Sequence, residues 1–445
     1  MRIYKLSPII CFYIILIVFL SKDIFLVNTS DFGRAVDLFL NGVNNFSKDS
    51  GLAFDLKENF KSIGHFKYIS SYSYLLYLYA YITSLYTNIL DMRLLGAILK
   101  ITFMIALYFV FKKLSGRKGK SADFIFIALS LLLVSSSNLS MFNSFYQEQV
   151  LLICIPLIII YMERRDTKGI VLMYTFLAIL TTSKSQFALT PLIFILHQVI
   201  FDRHKLKLKI SLSLLCLLLG VLCITFSKGA VSLNKYHSNY YGIYQLMKNN
   251  KVELPENVDL ECVGVDAWGN KYDIAKGALS SDIGEICYKK NINTSFSDTI
   301  KSFLGNPSLI LTLPYDLGMK EQYTENYIHV FKSFHLIENN HGPLAMITSI
   351  KDYLFKDVRF SVLFISMVLS IFLKNEYYRQ VIFFISSFGA SQLFLAFLGE
   401  GYRDLSKHLF GMNISFDLLV FTVLCMLSRV KKTFSEYLGH RKMPF

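Results

Sequence analysis

Charged residues are scarce in this chain. They make up 18% of its 445 residues, while hydrophobic residues make up 53%; soluble domains usually carry about a quarter charged residues. Long apolar runs recur from end to end, with one polar stretch in the middle. The scarcity of charge argues against an ordinary soluble protein, and the apolar runs predict an all-α polytopic membrane protein.

Cysteine motifs for metal binding are absent. The seven cysteines form no CxxC pair and no zinc-ligand spacing. Only Cys262 and Cys287 lie in the polar stretch, whereas the others lie in apolar runs. If the polar stretch is extracytoplasmic, oxidising conditions permit a bond between these two cysteines, and we expect a disulfide there.

A signal-peptide cleavage site is also missing. Arg2 and Lys5 precede the first apolar run, Pro8 to Val27, and no small-x-small pattern follows it. This arrangement predicts an uncleaved signal anchor with a cytoplasmic N-terminus. The net charge of +14 comes largely from short loops between apolar runs. Positive-inside bias explains it, so nucleic acid is not an expected partner.

Loop charge and tyrosine content predict the topology. The most basic short loop, Lys112–Lys120, is expected in the cytoplasm. The segment Tyr72–Leu90 then cannot cross, and its six tyrosines suit a juxtamembrane helix on the outer face. We expect about ten transmembrane helices with both termini inside: Pro8–Val27, Leu94–Phe111, Asp123–Ser140, Val150–Met162, Ile170–Leu180, Phe187–Phe201, Ile210–Phe226, Phe360–Leu373, Val381–Leu398 and His408–Leu427.

Three regions follow from this topology. Residues 1–226 are expected to form an N-terminal transmembrane module whose first external loop is catalytic. Residues 227–357 form one large extracytoplasmic loop, in which Ser297–Leu304 and Lys320–Phe334 look helical and Asn249–Asn270 reads as loop or short strands. Residues 358–445 supply the C-terminal transmembrane helices and a basic cytoplasmic tail.

Charged residues from four separate stretches are expected at the outer face. They are Asp31 and Arg34 in NTSDFGRAVDLFL, Glu148 in NSFYQEQ, Lys184 in TTSKSQ, and Glu400, Arg403, Asp404, Lys407 and His408 in GEGYRDLSKH. Acids and bases around one cavity suit transfer from a phosphate-activated donor to a hydroxyl. A carboxylate takes the proton of the attacking hydroxyl, and cations hold the departing phosphate.

Each residue also has a purely structural interpretation. Asp31 and Glu148 could each favour the positive end of a helix dipole. Lys184 could extend from a short helix end toward water. Arg403 could form an ion pair with Asp404, and His408 could be a satisfied helix residue.

The pattern resembles the polytopic GT-C glycosyltransferases, which use polyprenyl-phosphate sugars. The stretches FNSFYQEQ, YYGIYQLMK, SFSDTIKSFLGNPSLIL and GEGYRDLSKHLFGMNISFD resemble bacterial membrane hexosyltransferases of S-layer and cell-surface glycan assembly. The resemblance implies an acid in the first external loop, Asp31, a second acid, Glu148, and a Lys-bearing turn with Lys184. It also implies inverting hexose transfer on the outer face of the bacterial cytoplasmic membrane.

The expected roles follow from this chemistry. Asp31 deprotonates the acceptor hydroxyl of a surface glycan or anionic polymer, and Glu148 orients the acceptor or shares that task. The donor phosphate is held by Lys184 and Arg403, and the other expected substrate-binding residues are Arg34, Glu400 and His408. The first loop has no DxD, so a divalent metal ion is compatible with the site but not indicated. Membrane lipids are the remaining expected partners.

Two alternatives remain. A polysaccharide polymerase or ligase would hold a diphosphate-linked glycan with paired external arginines, but external arginines are sparse, mainly Arg34, Arg93, Arg359 and Arg403. A flippase or transporter would have mid-span charges and two similar halves. The sequence has few such charges and no visible internal repeat.

Overall fold

Helices dominate the computed structural model, which describes residues 6–26, 29–41, 52–61, 66–227, 231–273, 277–325 and 342–439. The first α-helices are Pro8–Leu20, Thr29–Val36, Ser71–Thr83, Met92–Ser115, Lys120–Ser130, Ser136–Ser140, Gln149–Met162, Thr167–Ser183, Thr190–Phe201 and Leu206–Phe226. The middle of the chain contains Val231–Ser238, Tyr244–Asn249, Gly284–Lys290, Phe296–Gly305, Ser308–Thr312 and Leu317–Glu321. The last helices are Pro343–Phe355, Arg359–Ser370, Glu376–Glu400, Leu405–His408 and Phe410–Gly439.

Four of the described helices are long and apolar enough to cross a membrane: Met92–Ser115, Leu206–Phe226, Glu376–Glu400 and the part Phe410–Arg429 of the last helix. A bent pair, Lys120–Val134 with Ser136–Asn143, makes a fifth if it counts as one span. The other predicted spans correspond to apolar helices of 10–17 residues: Pro8–Leu20, Gln149–Met162, Thr167–Ser183, Ser185–Phe201 and Arg359–Ser370. A helix needs about 20 residues to cross the hydrocarbon core. Length therefore supports four or five spans, and the total of about ten stays a prediction.

The predicted span Asp123–Ser140 is broken in the middle. Its two parts meet at an angle of 69°, and Ser135 at the break has an extended backbone with φ −67° and ψ 156°. Thr348, in the helix Pro343–Phe355, supplies hydrogen bonds to the residues after the break. Its Oγ1 lies 2.8 Å from Ser136 Oγ and accepts the Ser137 N–H at 3.1 Å. Such partners are needed wherever an apolar helix loses its internal hydrogen bonds.

A fully buried ionic network adjoins this break. Lys351 Nζ lies 2.8 Å from Glu325 Oε2 and 3.1 Å from Ser135 Oγ, and it also contacts Asp417. Arg359 Nη2 lies 2.6 Å from Glu325 Oε1. Asp417 lies within the candidate span Phe410–Arg429, and sequence reasoning did not single out this acid. Arg359, one of the arginines expected on the external side of the membrane, is fully buried in this network.

The tyrosine-rich segment is not a long span. Its helix, Ser71–Thr83, has 13 residues and is followed by the strand Ile89–Asp91. This strand pairs antiparallel with Ala53–Asp55, with Phe54 opposite Leu90. A second antiparallel pair joins Asn270–Asp273 to Gly277–Ser280. The described part of the chain is therefore mostly helical, with these two short strand pairs and no closed sheet.

The middle region contains the expected disulfide. Cys262 and Cys287 are bonded, with their Cα atoms 5.4 Å apart. The helix predicted over Ser297–Leu304 is confirmed as Phe296–Gly305, and it begins with a capping box in which Ser295 and Asp298 satisfy each other's backbone N–H groups. Of the helix predicted over Lys320–Phe334, residues 326–334 lie outside the described residues. The described helix Leu317–Glu321 overlaps the start of that prediction, and residues 322–325 are not helical.

Candidate functional site

Glu148 lies in a tight turn just before the helix Gln149–Met162. Ser144 closes the turn, because its Oγ donates to the Met141 carbonyl at 2.6 Å and accepts the Tyr146 N–H at 3.2 Å. The Glu148 carboxylate is thereby buried at the start of a helix, near the positive end of its dipole. Glu148 therefore does lie where a helix dipole favours an acid, as the purely structural interpretation requires. Its side chain also has a specific partner.

That partner is Lys184. The backbone leaves the helix Thr167–Ser183 at Lys184, which is extended with φ −149° and ψ 143°. Lys184 Nζ lies 2.5 Å from Glu148 Oε1 and 3.1 Å from His408 Nδ1. Because the lysine side chain is only 13% exposed, it reaches into the protein rather than toward water.

A close contact between Gly242 and Gly401 positions the loop that carries Glu400 and Arg403. Gly401 has φ 61° and ψ −133°, a conformation that is essentially restricted to glycine. A Cβ at Gly401 would lie 2.6 Å from the Tyr241 carbonyl oxygen, and one at Gly242 would lie 3.0 Å from Gly401 Cα. The neighbouring Tyr402 N–H donates to the Tyr241 carbonyl at 3.0 Å. The stretches YYGIY and GEGYRD therefore pack directly against each other.

His408 continues the contacts from Lys184 to Glu400. Its Nδ1 faces Lys184, while its Nε2 lies 3.3 Å from Glu400 Oε2. An ammonium group can only donate, so Nδ1 is the acceptor and the ring proton of a neutral His408 belongs on Nε2. Glu148, Lys184, His408 and Glu400 thus form one continuous series of contacts, which we name the charge chain. It joins three separate sequence stretches that we expected to meet.

The charge chain keeps Glu148 ionised. Burial raises the pKa of Glu148, but Lys184 and the neighbouring Lys407 and His408 lower it, and the net pKa lies below its ordinary value. Lys407 itself is buried, with its Nζ 5.5 Å from the centre of the Tyr146 ring. A carboxylate with a lowered pKa is a poor proton acceptor and a good hydrogen-bond acceptor at neutral pH.

Arg403 lies on the same loop but is paired outside the charge chain. Its Nη1 contacts Oδ2 of the fully buried Asp266. The expected partner, Asp404, is more distant, with its Oδ2 3.8 Å from Arg403 Nε. The guanidinium carbon also lies 5.8 Å from the centre of the Trp268 ring. Asp266 was missed in the sequence because no motif marks it, although it precedes the sole tryptophan by two residues.

The first loop comes near the charge chain at Tyr68. The Tyr68 hydroxyl accepts the Ser185 N–H at 3.0 Å, one residue after Lys184. Burial raises the pKa of Tyr68, contacts with Ser185 and the charge of Arg34 lower it, and the charge of Glu148 raises it. Charges from the first loop and from the charge chain therefore act on the same hydroxyl. Sequence reasoning did not single out Tyr68.

The first-loop helix Thr29–Val36 carries two of the predicted residues. Arg34 is exposed on it. Asp31 belongs to the same helix, but its side chain lies outside the described residues. Within the part of the chain that the structure describes, no group of three or more His, Cys, Asp or Glu residues is placed to hold a metal ion.

The apolar helices and the buried charges between them define an integral membrane protein built mainly from α-helices. The chain belongs to the family described as the YfdI N-terminal transmembrane domain, which it matches over residues 9–441. It is 43% identical over 415 residues to the uncharacterized protein YfdI of Escherichia coli strain K12, an alignment that covers 93% of this chain and 94% of that protein. No solved structure shows significant similarity to it.

Proposed function

We propose that this protein is a GT-C-type hexosyltransferase that takes its sugar from a polyprenyl-phosphate donor. The acceptor is a hydroxyl of a cell-surface glycan or anionic polymer at the outer face of the cytoplasmic membrane. The observation that carries the proposal is the charge chain, because it gathers two carboxylates and a lysine from three distant stretches. Such buried, paired charges in a membrane protein commonly mark a functional site.

The reaction is an inverting single displacement. The acceptor oxygen attacks the anomeric carbon of the hexose, and a new glycosidic C–O bond forms as the bond to the phosphate oxygen breaks. The acceptor proton passes to the carboxylate of Asp31, and the polyprenyl phosphate departs with the bonding electrons. Asp31 is the better base of the two acids, since the lysine contact makes Glu148 a weak one.

Glu148 and Lys184 then have positioning and binding roles. The Glu148 carboxylate accepts a hydrogen bond from an acceptor hydroxyl and orients it. An ammonium has three N–H donors, and Glu148 and His408 engage two of those of Lys184. The third is directed to a phosphate oxygen of the donor, and Arg34 supplies further positive charge. Arg403 contributes less net charge there, because Asp266 is already paired with it.

The test is transfer by the purified full-length protein in lipid nanodiscs. Radiolabelled polyprenyl-phosphate hexoses are added one at a time with surface polysaccharide from the native host. We expect one donor to be consumed and its label to enter the polysaccharide. Absence of consumption with every donor and acceptor would contradict the proposal.

A specific observation favours a second candidate, translocation of a lipid-linked glycan. Transporters commonly contain broken helices and charges at membrane depth, and both features meet at Ser135, Lys351 and Asp417. Reconstituted liposomes with a fluorescent polyprenyl-linked sugar distinguish the two. Translocation moves the label across the bilayer without forming a new glycosidic bond.

A further inference from the structure

The middle region contains a polar cavity of about 390 Å³ that is separate from the charge chain. Its lining includes the rings of Tyr240 and Tyr244, and the polar side chains of Asn257, Asn293 and Lys301. Cavities of this size bind small molecules or single units of a larger ligand. Tyr244 and Tyr240 are one helical turn apart, and their rings meet edge to face at 5.2 Å.

The walls of this cavity are fixed to each other by independent bonds. The lining residues come from two segments of the chain, one before Cys262 and one after Cys287. The disulfide between these cysteines links the two segments. Lys290 Nζ and Asp259 Oδ2 lie 2.6 Å apart and join the same two walls. The Tyr240 hydroxyl donates to Asn291 Oδ1 at 2.7 Å and accepts the Asp259 N–H at 3.4 Å. The cavity is therefore a preorganised feature of the fold.

The chemistry of the lining selects a class of ligand. Amide side chains both donate and accept hydrogen bonds, and tyrosines combine an apolar ring with a hydroxyl. An anion is disfavoured because Asp298 also lines the cavity and because Asp259 already neutralises Lys290. A lipid chain would require an apolar lining. A saccharide has many hydroxyls and apolar ring faces, and it fits this combination.

The position of the cavity relates it to the proposed transfer site. Tyr240 and Tyr244 line the cavity, while Tyr241 and Gly242, on another face of the same helical stretch, contact the loop that carries Glu400 and Arg403. An α-helix with its side chains is about 10–12 Å across. Only a ligand of several units could occupy both places at once.

We propose that this cavity binds a saccharide unit of the acceptor glycan, away from the hydroxyl that receives the hexose. That the bound glycan is the acceptor rests on the proposed function, but saccharide binding itself does not require transfer. It implies that the acceptor is an oligosaccharide or polymer held at two points. Short acceptors that reach only the transfer site would bind more weakly.

Two exposed residues allow a test without disturbing the core. No hydrogen bond within the described ranges engages the side chains of Asn293 and Lys301, so Asn293→Ala and Lys301→Ala leave the fold intact. The matched control is Lys289→Ala, an exposed lysine of the same region that is paired with Glu285. The probes are oligosaccharides released by mild acid from the surface polysaccharide of the native host.

Binding of these oligosaccharides to the full-length protein in nanodiscs is measured without donor, by saturation-transfer NMR and titration. We expect the double variant Asn293→Ala/Lys301→Ala to bind about tenfold more weakly than the parent, equivalent to roughly one or two lost hydrogen bonds. Lys289→Ala should bind like the parent. No binding by the parent, or equal binding by all three proteins, would overturn the inference.

The same measurements separate this inference from the proposed function. If the parent binds the oligosaccharides and the double variant binds them about tenfold more weakly, the saccharide site stands, even where every polyprenyl-phosphate hexose fails to be consumed. If transfer occurs but the cavity variants bind and react like the parent, the transfer function stands and the cavity proposal fails.

Discussion

Lys184 Nζ lies 2.5 Å from Glu148 Oε1, although the two residues are 36 positions apart. Glu148 precedes the start of one helix and Lys184 follows the end of another. Both side chains are largely buried, at 13% and 3% exposure. Loss of either partner leaves the other charge in a poorly solvated place, and such losses cost about 3–5 kcal/mol in buried pairs.

A double-mutant cycle tests this pair. Glu148→Gln and Lys184→Met should each lower thermal stability in detergent by several degrees, and the double variant should lose less than the sum of the two. The coupling arises because the double change removes both charges together. Strictly additive losses would show that the pair contributes nothing to folding.

Asp31→Asn should cost the most activity of any single change. The substitution keeps the shape of the side chain and removes its ability to accept a proton, so turnover should fall by about 10²–10⁴-fold. Turnover is measured with the consumed donor at saturation, and surface expression of the variant serves as the folding control. If the variant keeps full turnover, the base lies elsewhere. The candidates are then Asp37, the second acid of the first-loop stretch NTSDFGRAVDLFL, and Glu400.

Gly401→Ala should destabilise the loop that carries Glu400 and His408. The backbone at φ 61° and ψ −133° excludes a side chain, and a Cβ would lie 2.6 Å from the Tyr241 carbonyl. The matched control is Gly399→Ala, two residues earlier in a helix, where a Cβ meets nothing within 4 Å. We expect a clearly lower melting temperature for the first and an equal or higher one for the second.

Cysteine labelling tests the predicted topology. Lys118 is exposed in the basic loop, whereas Ser115 is buried and unsuitable. In a variant without the unpaired cysteines, Lys118→Cys should resist an impermeant thiol reagent in intact cells. Glu256→Cys, exposed in the middle region, should react. The opposite pattern would invert the topology and place the charge chain on the cytoplasmic side.

We expect the free energy of unfolding to fall in mild acid because His237 must become protonated. Burial lowers the pKa of His237 below its ordinary 6.5, although Asp266 raises it. Its Nε2 accepts the Ala267 N–H at 3.0 Å, which requires an unprotonated nitrogen. Below about pH 6.5 the unfolded chain binds more protons than the folded chain, so the stability contributed above that pH is lost as the pH falls.

The measurement is the melting temperature between pH 7.5 and 5.5 in detergent. The parent should lose stability across this interval, and His237→Gln should lose less because its amide does not titrate. Parallel curves for the two proteins would assign the pH dependence to other groups.

Local patterns predicted some elements well. Each predicted span corresponds to an apolar helix or to the bent pair, because a long apolar run has few other ways to satisfy its backbone. The sequence also predicted a helix over Ser297–Leu304, which the structure has as Phe296–Gly305. The break at Ser135 was not, because no proline or glycine marks it and its partners Thr348 and Lys351 lie far along the chain.

For the candidate site, the sequence by itself determined which residues carry the charge and which stretches contain them. The tertiary structure decided their pairing. Lys184 lies between Glu148 and His408. Arg403 is paired with Asp266 rather than with Asp404, and Arg359 is buried against acidic side chains. Helix packing makes these choices, because an ion pair depends on distances of a few ångströms that local residue patterns do not encode.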